Sequence, residues 1–307
     1  MISYLLLKKI AAMFLIMAFG VLAARTKKVP AETARFLSAV AVTIVIPCQM
    51  LDAFQTEFSR EKLWGLLLAL GGGLAVHVLF YAAVLALKKP LKLDPVEEAS
   101  SIYTNCGGLI LPIVSGVLGP EYVIYAIAYT SLDTVFLWSV GRVRLCPGEK
   151  PSVGKLLLNP NILATLAGLA LFLLRIRFPE VIGTALGDVA KTIGPLSMLV
   201  LGLILGNMEL RALTEYRRVW LPVTLRLVGL PLLAFLFYKY SGIARLVPDG
   251  QMILLVSLLG AIAPSASTVV QLTQLKGGDS RYAGVINVIT TLLCIGTMPL
   301  WVYLYQL

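Results

Sequence analysis

The chain has 307 residues, of which 58% are hydrophobic and 14% charged, with a mean hydropathy of +0.87. A soluble domain is about 45–50% apolar and about 25% charged, so this chain lacks the polar surface to cover a core and its solvent must be largely lipid. The net charge of +10 does not point to nucleic acid, because the cations sit in short loops between apolar runs and form no basic stripe interleaved with aromatics.

Ten apolar runs follow in order, at about 4–24, 33–54, 63–87, 98–118, 121–145, 157–175, 184–208, 217–240, 250–275 and 281–305. Each is near or above the roughly 20 residues that cross a hydrocarbon core as a helix. None shows strand alternation, so the pattern predicts an all-α membrane protein with about ten transmembrane helices and excludes a β-barrel. Within the first, Lys8-Lys9 precede an apolar stretch, and no small-residue cleavage site is expected after it. The second contains Pro47-Cys48-Gln49-Met50-Leu51 and ends near Asp52. In the third, Gly71-Gly72-Gly73 reads as a close-packing surface, and His77 reads as a packed or lumen-facing residue.

The fourth run reads Tyr103-Thr104-Asn105-Cys106-Gly107-Gly108-Leu109-Ile110-Leu111-Pro112. Gly costs about 1 kcal/mol inside a helix and Pro about 3. A break is therefore predicted near Gly107, Gly108 and Pro112, just after Asn105. The fifth run carries Asp133. The segment 147–156 is the expected divider between a first unit, 1–146, and a second, 157–307. Asp188 and Lys191 open the seventh run three residues apart and are expected to pair. That run also repeats the P-x-x-M-L pattern as Pro195-Leu196-Ser197-Met198-Leu199. The eighth run contains Arg226. The ninth reads Gly260-Ala261-Ile262-Ala263-Pro264-Ser265-Ala266-Ser267-Thr268 and then Gln271.

Pro47 and Pro112 are 65 residues apart, and Pro195 and Pro264 are 69 apart. Two such matches in register predict an internal repeat of five helices in each half. An odd number per half makes the second enter from the opposite side, the inverted repeat common in secondary transporters. With the N-terminus outside, the inward segments carry sixteen cations: Arg25, Lys27, Lys28, Arg35, Lys88, Lys89, Lys92, Arg142, Arg144, Lys150, Lys155, Arg211, Arg217, Arg218, Lys276 and Arg281. The outward segments carry eight: Lys8, Lys9, Arg60, Lys62, Arg175, Arg177, Lys239 and Arg245. The asymmetry predicts both termini on the extracytoplasmic side of the plasma (inner) membrane.

Matched breaks in both halves are the best sequence pointer to a transport site, although a single break of this kind is ordinarily a simple proline kink. Crossed half-helices aim partly positive N-termini at one point, which suits an anion. The expected substrate-binding residues are Asn105, Gly107, Gly108, Pro112, Pro264, Ser265 and Ser267. Gln271, Thr268, Arg226 and Asp133 are candidates for ion coupling or charge pairing, since intramembrane charge must be paired or wet. Arg226 is expected to balance an anion or to pair with a carboxylate, with Asp133 the partner named. Cys48, Cys106, Cys146 and Cys294 share no metal-type spacing. No metal or cofactor is expected, and no nucleophile motif or phosphate loop marks an enzyme.

Four segments resemble the auxin efflux carrier family of permeases, which includes bacterial malate and malonate carriers and plant auxin exporters. They are Asn105 to Gly119 followed by Tyr122-Val123-Ile124-Tyr125-Ala126, then Leu158-Asn159-Pro160-Asn161, then Gly194-Pro195 to Gly202, and Ala263-Pro264-Ser265-Ala266 to Gly277-Gly278-Asp279. The resemblance spans nearly the whole chain, with Asn105, Pro112 and Pro264 matching the family's crossover positions. It implies inverted five-helix repeats, crossed fourth and ninth helices, and a scaffold of the first, second, sixth and seventh. It also implies elevator-type transport of small organic anions, with H⁺ or Na⁺ as an open coupling ion, and a homodimer. The long loop of many plant members is missing, which favours a prokaryotic permease. Two alternatives stay open: a sodium-coupled symporter of the bile-acid type, and a non-transporting sensor or partner-binding membrane subunit.

Overall fold

The computed structural model describes residues 2–30, 32–146, 148, 153–208, 215–275 and 278–307. Lys150, Arg211, Lys276, Gly277 and half of the expected divider lie outside the described residues. Seven described helices are long and apolar enough to cross a membrane. They are α1 (Ile2–Arg25), α2 (Thr33–Ala53), α3 (Arg60–Leu91), α6 (Pro120–Leu145), α8 (Glu180–Asn207), α9 (Arg217–Tyr240) and α12 (Ser280–Gln306). Between them lie α4 (Pro95–Ile102) and α5 (Cys106–Val117), α7 (Pro160–Leu174), and α10 (Gly250–Ala261) and α11 (Ser267–Leu275). The apolar runs predict about ten spans, with the fourth and ninth interrupted. Those two runs are each two short helices, and the sixth, expected as a plain span, is a helix of 15 residues, about 22 Å long.

Local chemistry sets these ends. Asp94 and Glu97 form a capping box at the start of α4, with Pro95 at the first helical position where its missing N–H costs nothing. Asn159 caps α7 by accepting from the Asn161 N–H at 3.0 Å, again followed by a proline. Asp279 accepts from the Tyr282 N–H at 2.8 Å and starts α12. In three helices a π turn begins six residues before a proline: Ala41 before Pro47, Cys106 before Pro112, and Leu225 before Pro231. A proline lacks an N–H and its ring collides with the carbonyl four residues back. The wider turn moves that carbonyl aside and lets the helix continue.

Two sets of packing contacts stand out, joined where α1 also packs on α5 and α12. In the first, α1 lies along α8, and α2 packs on α7 and α8. A Cβ on Gly20 would stand 2.5 Å from the Leu199 carbonyl oxygen and 2.9 Å from the Cα of Gly202, so only glycine permits this approach. Gly206 meets Val21 and Ala24 one turn further on. Small residues allow the van der Waals contact that holds helices together where lipid supplies no hydrophobic drive. In the second group, α3 packs on α6, α9 and α10, and α12 packs on α11 and α4. Outward side chains such as Leu15, Phe19, Trp64 and Val181 remain exposed, as a lipid-facing surface requires.

An ionic cluster ties the second group together at one end. The buried Glu98 on α4 meets Lys88 of α3 and Arg144 of α6, each at 2.7 Å. Its neighbour Glu97 meets Arg218 at 2.6 Å and accepts from the Tyr282 hydroxyl at 2.9 Å. Four elements outside α4 thus converge on two adjacent carboxylates.

Candidate functional site

The two interrupted runs meet at their breaks. Thr104 and Ser265 pair as an isolated antiparallel bridge. The Asn105 N–H donates to the Pro264 carbonyl at 2.9 Å, and the Ala266 N–H donates to the Tyr103 carbonyl at 3.1 Å. Backbone in this position must find partners inside the protein, and helix α12 supplies more. The Asn287 side-chain amide donates to the Ser265 carbonyl at 2.6 Å, and the Ser265 N–H donates to the Thr290 hydroxyl at 3.2 Å.

The first break lies at Tyr103–Asn105, upstream of the glycines and seven residues before Pro112. The π turn Cys106–Ile110 carries Pro112 inside a continuing helix, so this proline is not the break point. Pro264 does lie in the second break.

Arg226 is fully buried in the π turn of α9. Its guanidinium donates to the carbonyls of Ser101 at 2.9 Å, Ile102 at 3.1 Å and Ala263 at 2.9 Å, and also to that of Ala261. These are the C-terminal carbonyls of α4 and of α10, the ends that carry partial negative charge. One cation therefore caps two half-helices, and the hydrogen bonds of Arg226 go to backbone carbonyls and not to Asp133. Asp133 instead accepts from the Thr104 N–H at 3.3 Å and the Thr104 hydroxyl at 3.5 Å.

The opposite halves face open space. A cavity of about 660 Å³ is lined by Asn105, Cys106, Gly107 and Gly108 at the start of α5 and by Ala266, Ser267, Thr268 and Gln271 at the start of α11. Asp133 and Thr130 of α6, Asn161 of α7, Ser197 of α8 and Asn287 of α12 complete its polar wall, with Ile46, Leu201 and Ile204 as apolar lining. A Cβ on Gly108 would come within 3.0 Å of both the Asn105 Oδ1 and the Ser197 Oγ. Glycine here keeps the Asn105 amide and the α5 backbone close together. Gln271 crosses the cavity and donates to the Ser38 hydroxyl of α2 at 2.9 Å.

Pro112, Pro264, Ser265 and Arg226 do not line this space. Pro112 lines a second cavity of about 620 Å³ with Gln49, Asp52, Gly116, Lys191, Gly194 and Pro195. That cavity lies toward the start of α1 and the start of α8, whereas the first opens toward Arg35 and Arg281. Between them α5 packs on α8, where a Cβ on Gly194 would lie 3.0 Å from Pro112. Lys191 pairs with Asp188 at 2.9 Å on the exposed start of α8.

The wall residues Thr104, Thr130, Asn161, Ser197 and Asn287 are not singled out by spacing as site residues. Asn161 leaves its Oδ1 buried without a hydrogen-bond partner. Ser197 sits inside the repeated P-x-x-M-L pattern, which is the one signal that marks its position in advance.

A comparison with curated proteins gives no match. The family model described as membrane transport protein matches residues 5–153 and 149–302. Together the two matches span nearly all of the sequence. The chain therefore belongs to the membrane transport protein family of auxin efflux carriers, and it is an integral membrane transporter of that family.

Proposed function

We propose that the protein carries small organic anions, carboxylates such as malate, malonate or auxin-like acids, by elevator-type alternating access. The observation that carries this reading is the cavity into which the N-terminal turns of both α5 and α11 open. The first N–H groups of a helix have no intrahelical acceptor, and that end carries partial positive charge. Two such ends, the Asn105 amide and the glycine-thin backbone at Gly107 and Gly108 suit a carboxylate, while Ile46, Leu201 and Ile204 suit its organic body.

Alternating access is supported by the two cavities at opposite ends of α5 and by the division into two packing groups. The group of α1, α2, α7 and α8 is the scaffold in this reading, and the remainder moves. The halves 1–146 and 157–307 are read as inverted five-helix repeats, on the matched interruptions, the antiparallel bridge at the crossover and the repeated P-x-x-M-L pattern. The loop cations favour both termini outside an inner membrane, and the family resemblance supports a homodimer.

Uptake of labelled malonate, malate and indole-3-acetate into proteoliposomes tests the proposal. Asn105→Ala is expected to abolish uptake while the protein stays folded. Full uptake by Asn105→Ala would remove this site assignment. Dependence of wild-type uptake on sodium would replace the reading with the bile-acid type, and binding without uptake would favour a sensor.

A further inference from the structure

His77 is completely buried on α3, and the transport reading gives it no role. Its Nδ1 lies 2.8 Å from the carbonyl oxygen of Gly73. A carbonyl only accepts, so Nδ1 must carry a proton. In a neutral ring the lone pair then sits on Nε2. That atom makes no hydrogen bond and stands 3.5 Å from Oδ1 of Asp133. Two acceptors facing each other in a buried site are unfavourable. One added proton, on either Nε2 or Oδ1, resolves the conflict.

The pair is built into the site. Asp133 lines the cavity, and the same Oδ1 accepts from Thr104, the residue that pairs with Ser265 at the crossover. The ring of His77 is held between Tyr129, at a centroid distance of 4.7 Å, and Phe136, at 5.2 Å. The other titratable or charged groups near the pair are Tyr81 and Tyr103, whose hydroxyls share a hydrogen bond, together with the Tyr129 phenol, Cys106, Arg226 and Arg144. Arg144 is neutralised by Glu98 at 2.7 Å. At the crossover itself the remaining fixed charges are Arg226 and Asp133, which sum to zero with His77 neutral, while Glu32, Arg35 and Arg281 line the same cavity where it opens. A carboxylate entering that site meets the partial positive charge of two helix ends but no full countercharge, and burying an incompletely paired charge is costly. With a proton on the pair the site is positive by one charge, and the anion balances it.

We infer that His77 and Asp133 form a proton-binding site that loads with the anion, making the carrier a proton–carboxylate symporter. The inference rests on the proposed transport of anions. The proton comes from water in the cavity and leaves to water at the opposite face with the substrate, so no bond in the substrate changes.

His77 is the sole histidine of the chain. Full-length protein labelled at histidine nitrogen therefore reports one imidazole by magnetic resonance in bilayers. Benzoate and malonate serve as probes, with anion flux and entrapped-dye proton flux measured in the same vesicles. The Nε2 resonance is expected to shift on binding the probe, and proton flux is expected to accompany anion flux. His77→Gln and Asp133→Asn are expected to lose proton flux at least tenfold relative to anion flux. Anion flux with an unmoved Nε2 resonance, or with undiminished proton flux in both folded variants, overturns the proton site alone. If the variants do not fold, the wild-type resonance decides. No binding and no flux with either probe rejects the anion-carrier reading and this inference with it.

Discussion

Replacing Arg226 with methionine separates two roles that a buried intramembrane cation can play. In the structure its donors go to four backbone carbonyls at the C-terminal ends of α4 and α10. Methionine fills similar volume but donates nothing, so four buried acceptors lose their partner. Each unsatisfied acceptor costs about 1–3 kcal/mol, giving a lower limit of about 4 kcal/mol. Removing the charge recovers part of its desolvation cost, and this keeps the estimate at the lower limit. For a chain of this size roughly 2–4 °C accompanies each kcal/mol, so the melting temperature should fall by roughly 8–16 °C. The readout is tryptophan fluorescence of purified protein in detergent during heating. Arg226→Lys keeps the charge but not the planar five-donor fork, and it should recover less than half of the loss. A variant Arg226→Met that melts within about 2 °C of wild type while losing malonate binding would refute the capping argument. Arg226 would then be an anion ligand.

Four further outcomes follow from the same geometry. Gly202→Val places a side chain against the Met17 carbonyl and Gly20; overpacking of this kind costs about 1–3 kcal/mol, measured as a lower melting temperature with anion affinity retained in the folded fraction. Gly108→Ala pushes the Asn105 amide and the Ser197 hydroxyl from positions 3.0 Å away, and should weaken malonate binding about tenfold, or 1.4 kcal/mol, at nearly unchanged melting temperature. Glu98→Gln loses the charge-assisted contacts to Lys88 and Arg144 at 2.7 Å; because both cations are partly exposed, the expected loss is only about 1–2 kcal/mol, read by thermal unfolding. Ser38→Cys with Gln271→Cys, whose native side chains meet at 2.9 Å across the cavity, should be joined by a short reducible bis-thiol crosslinker that stops uptake until reduction releases it; uptake that survives complete crosslinking would argue against relative motion of the two packing groups.

The membrane class and the polar interruptions are legible in the sequence because both rest on strong local rules. Long apolar runs with charged ends read as spans at α1, α3 and α12, and the two glycine–proline clusters mark the two interrupted runs. The position of the first interruption is not legible. Pro112 carries the greatest local penalty, yet the chain opens at Tyr103–Asn105, where the Pro264 carbonyl and Asp133 accept its N–H groups and the Ala266 N–H donates to its carbonyl. A π turn then absorbs Pro112, and nothing in the composition of Cys106–Ile110 announces it. The role of Arg226 is hidden for a related reason. A charge inside an apolar run invites a carboxylate partner, whereas its partners are backbone carbonyls from segments about 125 and 37 residues away in sequence. His77 reads as a lone packed ring until the fold brings Asp133 beside it.

The same accounting bears on why an anion, and not a cation, is the proposed cargo. Two interrupted helices expose two kinds of end, and each kind attracts the opposite charge. The C-terminal ends at Ser101–Ile102 and Ala261–Ala263 would draw cations, but Arg226 already occupies both. The N-terminal ends at Cys106–Gly108 and Ser267–Thr268 have no such resident charge and line the cavity. The resident cation thus removes one binding preference and leaves the other. It also adds a fixed positive charge behind the crossover that favours anions entering in front of it. At the crossover Asp133 opposes that field, and a proton shared with His77 offsets the carboxylate, so the charge balance there turns on one acidic group.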